Sequence, residues 1–83
     1  MVSTEKPVMT YNIKKKLLYI CADKKISTMI DIIILNDKTE TVMKMKIISG
    51  SHRIDLSSLN EKEYAVKLVA GNNVWVQKIT NED

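Results

Sequence analysis

Apolar and polar residues alternate along most of this chain with the period of two that belongs to β-strands, and short polar clusters punctuate the alternation. The pattern begins over residues 8–13 and resumes over 16–22, where Leu17, Tyr19 and Cys21 oppose Leu18, Ile20 and Ala22. Apolar groups on both sides predict a strand buried on both faces or one interior to a sheet. Asp23-Lys24-Lys25 then breaks the run as a polar turn. The stretch from Met29 to Leu35 is apolar except for Asp31, and its consecutive isoleucines are too β-branched and too few to favour a helix. It reads as a central strand.

Asn36-Asp37-Lys38-Thr39 reads as a turn, because Asn and Asp tolerate left-handed backbone and bond their own neighbouring amides. In the strand expected over 40–48, Met43, Met45 and Ile47 alternate with Val42, Lys44 and Lys46, so its lysine face should be wet. A turn at Ser49-Gly50-Ser51 leads to a short strand over 52–56 with Ile54 and Leu56 on one face. Two readings compete for the next segment. Ser58 with Glu61 fits a helix capping box and Gly71 fits the residue past a helix end, which together allow a helix over 59–70. Against it, Tyr64, Val66, Leu68 and Ala70 alternate, and residues 74–79 call for a hairpin partner across Gly71-Asn72-Asn73. The alternation favours the strand.

These elements fill one domain over residues 7–80, with 1–6 and 81–83 expected to fray. A chain of 83 residues buries a small core. With no Phe, and with Tyr11, Tyr19, Tyr64 and Trp75 as the aromatics, that core must be built mainly from aliphatic side chains. The net charge of +3 is weak support for a polyanionic partner, so nucleic acid is not the expected ligand. A lone cysteine, Cys21, excludes an internal disulfide, and its apolar neighbours suggest a space-filling role. Neither a secretory leader nor a membrane-spanning segment is legible.

Candidate chemistry is sparse. His52 is the sole histidine, has no second ligand at metal-binding spacing, and reads as a solvated loop residue. Ser57 and Ser58 lack the glycines of a nucleophile elbow. No enzyme activity and no cofactor are expected. Lys14, Lys15 and Lys16, with Lys24 and Lys25 and the flanking Tyr11 and Tyr19, form a candidate partner-binding patch of the kind that single-stranded nucleic acid binders use. The competing reading gives these lysines to strand edges and turns, where they discourage pairing with other chains. Trp75 either anchors a partner or caps the open side of the core.

One resemblance spans residues 30–79. Ile33-Ile34-Leu35-Asn36-Asp37, Ser49-Gly50, Ile54-Asp55-Leu56-Ser57-Ser58-Leu59, Tyr64-Ala65-Val66-Lys67-Leu68 and Gln77-Lys78-Ile79 follow one another in that order. The series resembles the C-terminal sorting domain of type IX secretion cargo in Bacteroidetes. It is also similar to small secreted Ig-like sandwiches of unknown function from gut Bacteroides. Both resemblances imply an all-β, Ig-like antiparallel sandwich of about seven strands with no cofactor and no catalysis. The first implies a non-enzymatic recognition or sorting module read by export machinery at the periplasm or cell surface. A rival reading is a stand-alone cytoplasmic protein that binds nucleic acid or an acidic protein through a Lys-rich face. Thr39 and Lys62 stand where the sorting family has Gly, and a Gly before the strand tyrosine usually serves a backbone with φ above zero, which Lys62 would then adopt.

Overall fold

The computed structural model describes residues 6–23 and 29–81, and each alternating segment within them is a strand. In order these are β1 (Val8–Asn12), β2 (Leu17–Ala22), β3 (Met29–Leu35), β4 (Thr41–Ile48), β5 (Gly50–Asp55), β6 (Glu63–Ala70) and β7 (Asn73–Thr80). They form a three-stranded sheet in the order β1-β2-β5 and a four-stranded sheet in the order β4-β3-β6-β7, with every neighbouring pair antiparallel. The protein is therefore a small Ig-like β-sandwich. Its fourth strand lies beside the third, whereas in the constant-type immunoglobulin arrangement the fourth lies beside the fifth.

The inner faces follow directly from the alternation. Leu18, Ile20 and Ala22 on β2 and Ile54 on β5 meet Ile30, Ile32 and Ile34 on β3, Ile47 on β4, Tyr64, Val66, Leu68 and Ala70 on β6, and Ile79 on β7. Burial at every second residue of β6 excludes a helix over 59–70, since a helical pitch would carry those side chains around the axis. The capping-box residues fall instead in the loop before this strand. Strand β2 is interior to its sheet as expected, but only one of its faces is covered: Tyr19 and Cys21 stand exposed on the other. Cys21 therefore does not fill core space, and its Sγ accepts a hydrogen bond from the Ser51 hydroxyl at 3.5 Å.

The loops explain the remaining departures. At Ser49-Gly50 the chain does not reverse onto β4. It crosses to the other sheet, with Gly50 at φ 120°, and β5 starts there instead of at His52. Between β3 and β4 the register slips, because Ile34 faces Met43 while Leu35 faces Thr41. Val42 is the extra residue, and it and Met43 both pack against the core. Gly71, at φ 61°, opens the tight β6–β7 hairpin, in which Ala70 pairs with Asn73.

The Asn36 side chain organises the β3–β4 turn. Its Oδ1 accepts the Lys38 and Glu40 amides, each at 2.9 Å, and its Nδ2 donates to Glu40 Oε1 at 3.1 Å. Left-handed backbone falls on Lys16 (φ 54°) and Thr39 (φ 62°) and not on Lys62. Lys62 thus does not adopt the backbone with φ above zero expected of it, whereas at Thr39 a β-branched residue occupies a conformation that glycine favours.

Three substitutions test this turn account by chemical denaturation. Thr39→Gly should raise stability by up to about 1 kcal/mol by relieving left-handed strain. Lys62→Gly should lower it by about 0.5–1 kcal/mol, since there only chain entropy changes. Asn36→Ala should cost about 2 kcal/mol through two unsatisfied amides.

Candidate functional site

The residues singled out for binding do not converge. Lys14 and Lys15 are exposed in the loop joining β1 to β2, where the Lys15 amide donates to Asn12 Oδ1 at 3.1 Å. Lys16 is half-buried and its carbonyl accepts the Leu56 amide at 2.8 Å, so this residue ties the hairpin to the segment after β5. Lys24 and Lys25 lie outside the described residues. The two tyrosines that would flank a basic patch are on opposite faces of one sheet. Tyr19 is exposed on the outer face, and Tyr11 packs against the core. Trp75 is half-buried, pairs across strands with Leu68 and packs against the core, which is the capping role.

His52 is a strand residue and not a loop residue. It lies on β5, half-buried, with Nε2 2.7 Å from the Ile48 carbonyl oxygen, so Nε2 carries the hydrogen and donates it. That bond ties β5 to the end of β4 across the sheet crossing. Ser57 and Ser58 are exposed after β5, and the Ser57 amide donates to Asp55 Oδ1 at 2.8 Å. Hydrogen bonding from Ser57 holds the Asp55 carboxyl below its ordinary range. Among the described residues no three His, Cys, Asp or Glu side chains converge to hold a metal ion. No helix among them is long and apolar enough to cross a membrane.

One polar cluster was not foreseen. Asn81 is buried rather than frayed, because the sandwich closes over it. The Tyr11 hydroxyl donates to Asn81 Oδ1 at 2.5 Å, linking β1 of one sheet to the end of β7 in the other. The Asn81 amide donates to the Lys62 carbonyl at 2.6 Å. The Glu61 amide in turn donates to the Tyr64 hydroxyl at 2.5 Å. A tyrosine at the start of the sixth strand that bonds the backbone a few residues upstream is the tyrosine corner of Ig-like sandwiches. Here it pins the segment that a helical reading had claimed. The signal lay in Tyr64 itself, the one aromatic at the entry of an alternating run.

The outer face of the three-stranded sheet holds a shallow depression of about 490 Å³, lined by Val8, Thr10, Tyr19, Cys21, Ser51 and Arg53. Tyr19 lies between Thr10 and Arg53 in one cross-strand row. The outer face of the four-stranded sheet differs in character: Met29, Ile48, Val74 and Val76 are 52%, 63%, 52% and 61% exposed beside Lys44, Lys46 and Lys78. No protein-family model matches this chain, and no curated protein matches it in sequence.

Burial is the main cause that pushes both Tyr11 and Tyr64 above the ordinary tyrosine value of 10.0. The unfolded chain therefore loses these protons first. The stability they contribute is complete below pH 10.0 and is lost as pH rises through the higher folded-state values. Stability measured against pH in this alkaline window should fall less steeply in Tyr64→Phe than in the parent. An unchanged slope would remove Tyr64 from the account.

Proposed function

We propose that this domain is a non-enzymatic recognition module, similar in role to the C-terminal sorting domain of type IX cargo, and that its folded surface is the signal. The observation that carries the reading is the last strand. β7, eight residues long, is the last strand of its sheet with no further strand paired to it among the described residues, carries one charged side chain, Lys78, and exposes Val74 and Val76. The opposite edge, β4, carries Lys44 and Lys46 and a bulge, which are devices that discourage pairing. An export component that adds a strand, or reads strand edges and loops, fits β7. The quoted elements that support the reading are spread along these strands: Asn36 follows β3, Tyr64 is the second residue of β6 and Ile79 the last but one of β7.

A second reading, a binding protein with a basic face, draws on Lys44, Lys46, Lys67 and Lys78 of the four-stranded sheet and no longer on Lys14 to Lys16. The first reading takes a protein partner, the second nucleic acid or an acidic protein, and neither calls for a cofactor. The sorting reading puts the domain at the periplasm or cell surface.

Fusing residues 7–83 behind a periplasm-targeted reporter in a type IX-competent bacterium tests it. The reporter should reach the cell surface. A fusion that is folded, by protease resistance, and yet stays in the periplasm would contradict the sorting role.

A further inference from the structure

Tyr19 stands on the middle strand of the three-stranded sheet, on its outer face. Its cross-strand row reads Thr10, Tyr19 and Arg53, and the adjoining row reads Val8, Cys21 and Ser51. All six residues are exposed, and together they line the depression of about 490 Å³. The other aromatics, Tyr11, Tyr64 and Trp75, pack with the core, whereas Tyr19 is 39% exposed. Arg53 is the one cation in these two rows, and among the described residues it makes no ion pair. Asp55, two positions along β5, is engaged instead by hydrogen bonds from Ser57.

We infer that this face binds a saccharide unit carrying one carboxylate, with the sugar ring against Tyr19 and the carboxylate on Arg53. The chemistry of the row selects that ligand. The face of an aromatic ring is negative, so the C–H groups on the flat side of a pyranose pack against it. A guanidinium offers two parallel donors that match a carboxylate. Thr10 and Ser51 add hydroxyls beside them, which both donate to and accept from the hydroxyls of a sugar. Size points the same way. Three strands by five residues make a face of about 14 by 17 Å, or roughly 240 Å², against about 800 Å² per partner in a stable protein interface. The depression, at about 490 Å³, falls instead in the range of small-molecule sites, about 300–1,000 Å³. Single-stranded nucleic acid stacks successive bases on several aromatics along a basic groove, and these rows hold one aromatic, one cation and no lysine. The inference goes beyond the sorting reading, and export of the reporter fusion and sugar binding succeed or fail independently.

The test is amide shift mapping of the folded protein with the methyl glycosides of glucuronic and galacturonic acid. At least one should give saturable shifts centred on Thr10, Tyr19 and Arg53, with a Kd on the order of 1 mM as befits a shallow site, and binding should weaken as salt is added. The corresponding neutral glucoside and galactoside, which lack the carboxylate, should bind about tenfold more weakly. Arg53→Gln, at an exposed position, should melt like the parent and abolish that preference for the acid. Tyr19→Thr, which keeps the strand propensity, should weaken binding of acidic and neutral sugars alike. The inference is overturned by an absence of saturable shifts up to about 20 mM of either acid, or by shifts centred on the four-stranded sheet. Equal affinity for acidic and neutral sugars, or an unchanged preference in Arg53→Gln, also overturns it. So does tighter binding of benzoate or of oligo(dT) than of both acidic sugars.

Discussion

The contact on which the rest of this domain depends is the meeting of β3 and β6, side by side in the four-stranded sheet, with the inner face of β2. Ile32 and Leu68 are directly paired, as are Ile34 and Val66, and all four are fully buried. Leu18 and Ile20 close over them from the other sheet. With no Phe in the chain, this aliphatic layer supplies most of the burial that offsets chain entropy, at about 25 cal/mol per Å² of apolar surface removed from water. The other elements are positioned by it. β4 and β7 hang on its two flanks, and β1 and β5 on either side of β2.

Two polar devices fix what aliphatic packing leaves loose. Branched hydrocarbon side chains attract without direction, so they do not specify how far one sheet slides over the other. The Tyr11 to Asn81 bond joins the sheets at one end, and the Tyr64 corner fixes the segment from Glu61 onward. Asn36 performs a similar task for the β3–β4 turn, where Thr39 takes a left-handed backbone. Burial raises the pKa of both tyrosine hydroxyls, because a phenolate is poorly solvated there.

Much of the fold was legible in the sequence because strand periodicity survives intact where one face is buried. Met29–Leu35 reads as a central strand by composition alone, and Lys44 and Lys46 mark the wet face of β4. What periodicity does not carry is which sheet a strand joins. Ser49-Gly50 looks like a hairpin turn, and only the pairing of β5 with β2 reveals a crossing. For the same reason the outer face of β2 looked buried, since apolar character at Tyr19 and Cys21 does not say whether a second layer covers them. The candidate site was less legible. Lys14 to Lys16 stand out as a run, but the lysines that share a face are far apart in sequence, at Lys44, Lys46, Lys67 and Lys78, and are gathered only by register. Asn81 gave no signal, because its burial depends on a tyrosine seventy positions away.

The account rests on the buried β3–β6 pair as the element that orders the rest, and native-state amide hydrogen exchange measures this directly. The slowest amides should be those of the β3 and β6 ladder, around Ile32, Ile34, Val66 and Leu68, opening only with global unfolding. Amides of β1 and of the edge strand β7 should exchange earlier. Exchange of β6 at the rate of the loops, or protection of residues 59–70 as a continuous helix, would contradict the account.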